Sequence, residues 1–354
     1  MTAFLVEYGL FLAKTVTLIV AILLLLAGVA TLLERRKEQR EGHIEIKSLN
    51  DHLDEMKLDI EAVVLDDAVA RQHEKARRKR EKAEAKALKK ALKRGEAPAK
   101  PRRRVFVLDF EGDMHASEVD RLRQEVTAVL SMSDPDDQVV VRLESPGGLV
   151  HAYGLASAQL ERLRAANLRL TVCVDRVAAS GGYMMACVAN RLLAAPFAVV
   201  GSIGVVAQLP NFHRLLKKHA VDYEVLTAGE YKRTLTIFGE NTEKGREKFI
   251  EELEDTHALF KTFVSEHRPQ LDLDRVATGE VWFGRRALEE KLVDEITTSD
   301  DHLCKLCQDH DVYEVRYQLK RGLQERLGLL AVSVSDNLLL RWWQRLHDSR
   351  LLSR

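Results

Sequence analysis

Lysine and arginine total 54 in this chain of 354 residues and aspartate and glutamate also total 54, so the formal charge is zero, with 46% of residues hydrophobic and 6% aromatic. That balance excludes a protein that coats nucleic acid along its whole length, and the hydrophobic content excludes a disordered tail. Four cysteines exclude a disulfide-stapled mini-fold; Cys173 and Cys187 lie in apolar surroundings and read as small core residues.

The zero total conceals uneven regions. Residues 15–33, TVTLIVAILLLLAGVATLL, carry no charge, and at about 1.5 Å per residue the run just crosses a hydrocarbon core of about 30 Å. It reads as one retained transmembrane helix within an anchor spanning 1–33. Residues 1–12 contain Glu7 and no base, which argues against a cleaved signal peptide. Lys14 stands alone before the helix, whereas Arg35, Arg36, Lys37 and Arg40 follow it, a bias that favours a cytoplasmic body.

Residues 34–103 form a charged connector, most basic between 71 and 94 (RQHEKARRKREKAEAKALKKALKR). Its Ala, Lys and Glu content suits a solvated helix without a core. It is either a self-repelling spacer or a contact for an anionic lipid surface; without interleaved aromatics, nucleic acid is not expected as a partner. Pro98 and Pro101 break it before a folded body of residues 104–320.

The body alternates strands and helices. VFVLDF from 105, QVVVRLES from 138 and LRLTVCV from 168 read as buried strands, with helices expected over 118–130, 149–166 and 177–189. LLAA, VVGSIGVVAQ, a helix at 211–219, a strand YEVLTAG from 223 and a long helix from 242 to about 267 follow. This order predicts an α/β domain with mostly parallel pairing and reactive residues on loops at strand ends.

Two such loops carry chemistry. In Ala178-Ala179-Ser180-Gly181-Gly182-Tyr183, a serine between tiny residues at a strand-to-helix turn can expose its hydroxyl as a nucleophile, and the Gly181 N–H can face a developing oxyanion. Ser145-Pro146-Gly147-Gly148 follows another core strand and offers further backbone donors. Alone, one is as well read as a helix cap and the other as an ordinary turn. A base is also needed, and no histidine follows Ser180 before His213. Lys232, in Gly229-Glu230-Tyr231-Lys232-Arg233, can serve if burial lowers its pKa from about 10.4; otherwise it is a surface lysine.

Taken together, SPGG at 145–148, AASGGYMMA at 178–186, GSIGV at 201–205, GEYK at 229–232 and GEVWFGRRALEEKLVDEI at 279–296 resemble the S49 family of signal-peptide peptidases. The resemblance implies a crotonase/Clp-protease-like fold of repeated β-β-α/βαβ units and a serine–lysine dyad acting through an acyl-enzyme. By position, Ser180 would be the nucleophile, Lys232 the general base, Ser202 the residue that orients the lysine, and Gly147, Gly148 and Gly181 the oxyanion donors. No cofactor and no metal are expected. The resemblance also implies a homo-oligomeric ring or dome, with each dyad completed within or between subunits, that cleaves peptides or membrane-protein substrates in or near the inner membrane. Many relatives place the protease domain outside that membrane, against the charge bias after residue 33, so the side stays open.

Where relatives often have glycine before Leu-Val-Asp this chain has Lys291, at an expected helix C-cap. The long basic extension sets the chain apart from shorter members. His302, Cys304, Cys307 and His310 fall within nine residues, but with no second cluster they read as helix positions and not as a zinc site. The tail, 321–354, mixes Trp342 and Trp343 with arginines and reads equally as a membrane-surface helix or a subunit contact. Two rival functions are a silent membrane scaffold of the same fold and an acyl-CoA enzyme, the latter with no use for a lysine beside the serine.

Overall fold

In the computed structural model the chain is described continuously over residues 42–66 and 102–319, with isolated positions between 12 and 21 and between 69 and 90. Most of the expected span at 15–33, much of the basic stretch and all of the tail lie outside the described residues. Among those described, no helix is long and apolar enough to cross a membrane.

The elements run β1 (Gly42–Ser48), α1 (Leu49–Val64), β2 (Arg104–Glu111), α2 (Val119–Met132), β3 (Gln138–Glu144), α3 (Val150–Ala165), β4 (Arg169–Val174), β5 (Val177–Ala179), α4 (Gly181–Ala186), β6 (Arg191–Ala194) and β7 (Val199–Gly201). Then come α5 (His213–Lys218), α6 (Glu243–His267), α7 (Leu273–Val276), β8 (Val281–Phe283), α8 (Gly284–Glu289), β9 (Glu295–Ile296), α9 (Ser299–Asp309) and β10 (Asp311–Leu319). Seven strands form one sheet in the order β1-β10-β2-β3-β4-β6-β9, and β5-β7-β8 form a second. The pairs from β10 through β2, β3, β4 and β6 to β9 are parallel, as the strand–helix alternation requires.

Side-chain alternation divides the core between the two faces of the large sheet. Phe106, Leu108, Phe110, Val139, Val141, Leu170 and Val172 pack with Leu122, Val126 and Val129 of α2 and Tyr153, Leu160 and Leu163 of α3. Val105, Val107, Val140, Cys173 and Leu193 pack on the other side with Leu303 of α9, against which Leu49 and Cys307 lean. Burial pushes the Cys173 thiol up to about 12 and raises that of Cys187 further, so both are inert core groups.

Three local expectations are revised. β1 is a strand inside the region read as connector, where Ile44 and Ile46 give the two-residue period a strand needs. The expected strand at 223–229 is not formed: that stretch has no pairing partner among the described residues and is exposed throughout. The expected helix at 177–189 begins only at Gly181, because Val177–Ala179 instead forms β5.

Candidate active site

β3 leaves the large sheet at Glu144, and the next residue crosses to the small one. Ser145 forms a single parallel bridge with Ala178, its N–H donating to Val177 O at 2.8 Å and its carbonyl accepting from the Ala179 N–H at 3.0 Å. This handover sets the 145–149 loop against the end of β5, where Ser180 stands. Gly147 makes the approach possible. A Cβ there would lie 2.8 Å from Ser180 Cβ and 2.7 Å from the Gly181 nitrogen, and its φ of +87° lies in the left-handed region.

Ser180 occupies the turn between β5 and α4 with φ 52° and ψ −119°, a conformation that disfavours any side chain by about 1–3 kcal/mol. It is held there by its own N–H, which donates to Gly201 O at 2.8 Å, and by its carbonyl, which accepts from the Met184 N–H at 2.9 Å. Its half-buried hydroxyl has no hydrogen-bond partner among the described residues. A strained turn that lifts a serine hydroxyl off the end of a strand is the geometry of a nucleophile elbow.

The backbone donors divide unequally. Gly147 was expected to offer its N–H to an oxyanion, but that N–H donates to Ser145 Oγ at 3.1 Å and is not free. The N–H groups of Gly148 and Gly181 have no acceptor among the described residues. Two donors therefore remain on the two sides of the Ser180 turn, the number an oxyanion hole uses.

Ser202 enters through the small sheet. β5 and β7 pair in parallel with Ala179 opposite Gly201, so Ser180 and Ser202 follow side by side at the same sheet end. Ser202 also has a positive φ, 51°, and its N–H donates to Glu280 O at 2.7 Å. That carbonyl precedes β8, which pairs antiparallel to β7 and gives the 279–283 motif its structural role.

Lys232 is not joined to this group in the single chain. It is exposed, its ammonium has no hydrogen-bond or ion-pair partner among the described residues, and no hydrogen bond links it to Ser180 or Ser202. It lines an open pocket of about 720 Å³ with Tyr223, Leu226, Ile237 and Phe238, none from the Ser180 loops.

Two family models cover the chain: Peptidase family S49 N-terminal over residues 3–160 and Peptidase family S49 over residues 162–313. The chain is 49% identical over 338 residues, 95% of each sequence, to "Probable protease SohB" of Haemophilus influenzae. It is 48% identical over 304 residues to "Probable protease SohB" of Buchnera aphidicola subsp. Schlechtendalia chinensis, covering 85% of this chain and 98% of that one. "Protease 4" of Haemophilus influenzae is more distant, 25% identical over 245 residues, which is 66% of this chain and 40% of that one. The chain belongs to peptidase family S49.

As an S49 protease, it assembles its Ser180 neighbourhood from both family regions, which meet inside α3. The 145–148 loop comes from the first, and Ser180 and Ser202 from the second. The motifs left unmarked the groups that brace the loop from behind, above all Tyr153. Its place in the Ala-rich HAYGLA stretch was a usable signal, since a tyrosine on a helix face that packs into the core needs a polar partner for its hydroxyl. His302, Cys304, Cys307 and His310 lie along α9 and at its end, and among the described residues no group of three or more such side chains is placed to hold a metal.

Proposed function

We infer that this S49 peptidase is a membrane-anchored serine endopeptidase in which Ser180 is the nucleophile and Lys232 the general base. The observation that carries the reading is the strained Ser180 turn, its hydroxyl without a partner among the described residues, with the unengaged Gly148 and Gly181 amides beside it. Ser180 Oγ adds to the scissile carbonyl carbon as its proton passes to a neutral Lys232 amine. The carbonyl oxygen takes up the negative charge between the two amides. Collapse expels the peptide amine, which takes the proton from Lys232, and water then hydrolyses the acyl-enzyme with the lysine again as base.

Lys232 is exposed and unconnected to Ser180 in the single chain, whereas a general base must lie within hydrogen-bond reach of the proton it takes, so in this reading Lys232 acts once its segment is covered. A neighbouring subunit of a homo-oligomeric ring or dome is the proposed cover, and it would bring Lys232 under the orienting hydroxyl of Ser202. The apolar run at 15–33 is the proposed inner-membrane anchor, with peptides in or near the bilayer as substrates.

A fluorophosphonate probe applied to the detergent-solubilised full chain across a pH series tests the dyad. Expected is label on Ser180, rising with pH and absent from Ser180→Ala and Lys232→Ala. Substantial peptide cleavage by either purified variant sinks the dyad.

A further inference from the structure

Behind the 145–149 loop lies a polar knot. Ser145 and Tyr153 are both fully buried, and their hydroxyls meet at 2.5 Å. The Tyr153 O–H donates to Asp113 O at 2.8 Å, and Gly147 N–H donates to Ser145 Oγ at 3.1 Å. Those bonds settle the direction of the remaining one. The phenol proton is engaged by Asp113, so the Ser145 proton points to Tyr153 Oη, and a one-way chain runs from Gly147 N–H through Ser145 and Tyr153 to the Asp113 carbonyl. Burial raises the phenol pKa above its ordinary value, which keeps that proton in place.

The same tyrosine reaches the other side of the turn. A Cβ on Gly181 would lie 2.4 Å from Tyr153 Cγ, so its ring lies flush against the backbone that carries the second free amide. The knot has no slack elsewhere. A Cβ on Gly112 would stand 2.3 Å from Ser145 Oγ and 2.4 Å from Tyr153 Oη. Leu149 N–H donates to Met114 O at 2.9 Å, closing the loop onto the segment that accepts the Tyr153 proton. One side chain thus touches Gly181 directly and reaches the neighbour of Gly148 through Ser145.

We propose that Tyr153 is a positioning residue for catalysis: through Ser145 it fixes the 147–149 loop, and through its ring it fixes Gly181, setting the separation of the Gly148 and Gly181 amides. This rests on the serine-hydrolase reading above. A donor pair displaced by a fraction of an ångström binds the substrate carbonyl nearly as before but stabilises the oxyanion less, so the loss falls on kcat.

The test uses the full chain in detergent with Tyr153→Phe, which removes one oxygen and keeps the ring, Ser145→Ala, and the double variant. Peptide hydrolysis is measured alongside amide hydrogen exchange of the 145–149 segment. Expected is a kcat lower by about tenfold to a hundredfold in each single variant, with KM within about twofold. The double variant should be no worse than the poorer single, because both act through one chain. Exchange at Gly147 and Leu149 should accelerate at least about tenfold as the loop loosens. A Tyr153→Phe kcat within about twofold of wild type, unchanged exchange in the folded variant, or losses that multiply in the double variant would each overturn the proposal. If the wild type neither cleaves peptide nor labels at Ser180, the hydrolase reading falls, and exchange at the loop still decides whether Tyr153 holds it.

Discussion

Around Ser180, every residue from 181 to 189 is buried, whereas around Lys232 every residue from 217 to 233 is exposed. The serine side is defined by backbone hydrogen bonds of 2.7–3.0 Å and by glycines that no larger residue could replace. The lysine side carries Leu226, 90% exposed, with Tyr223, Val225 and Tyr231 also open. A single chain therefore fixes the Ser180 turn and the amides beside it and leaves the Lys232 segment uncovered. Under the proposed serine–lysine dyad, cleavage would wait on whatever covers the Lys232 segment.

Substitutions of comparable chemistry on the two sides sharpen that contrast. Gly147→Ala, which drives a methyl into Ser180 and Gly181, is expected to lower stability by about 3 kcal/mol and abolish activity, while Leu226→Ala changes unfolding free energy by less than about 0.5 kcal/mol. Equal stability losses in chemical denaturation would erase the distinction.

Glu125 tests whether the closed body tolerates a buried charge. It is 1% exposed, and its Oε1 accepts from Tyr317 N–H while Oε2 has no hydrogen-bond partner among the described residues. Desolvation pushes its pKa up to about 7 from 4.5, against the lowering effects of Tyr317 and Arg121. The folded state therefore keeps a proton that the unfolded chain releases between those values, and stability falls as pH rises through that window and levels off above it. Glu125→Gln should be more stable than wild type by on the order of 3 kcal/mol at pH 8 and nearly equal near pH 4. Parallel denaturation curves at both pH values would contradict this.

Smaller effects probe backbone strain. Ser180→Gly is expected to raise stability by about 1–2 kcal/mol while removing activity, whereas Ser180→Ala keeps the strain and gains nothing. Lys291, at φ 63° just after α8, should gain about 0.5–1 kcal/mol as glycine, with peptide cleavage unchanged. Thermal unfolding of these variants orders the strain at the two positions.

The alternation from Arg104 onward was legible because strands buried on both faces form apolar runs, and the Ser180 turn was legible because small residues crowd a strand end. Lys291 marked a C-cap, and the structure gives it the positive φ of one. β1 was obscured by the charges around it, and 223–229 looked like a strand because apolar alternation says nothing about whether an edge is available to pair with. The Ser145–Tyr153 contact joins hydroxyls whose meeting depends on how tightly Gly112 lets β2 and α3 approach. No local pattern encodes that closeness, and so the engagement of the Gly147 N–H was also invisible.

The large sheet places its first strand, β1, beside its last, β10. Asn50, one residue into α1, seals that seam by donating to the carbonyls of Cys307 and His310 and accepting from the Val312 N–H, bonds that span 257, 260 and 262 residues. During synthesis β1 emerges early but cannot be paired until almost the whole body has been made. At roughly 5–20 residues per second that wait lasts on the order of 10–50 seconds. For that time β1, the earliest made of the described strands, stands without its one neighbour in the sheet.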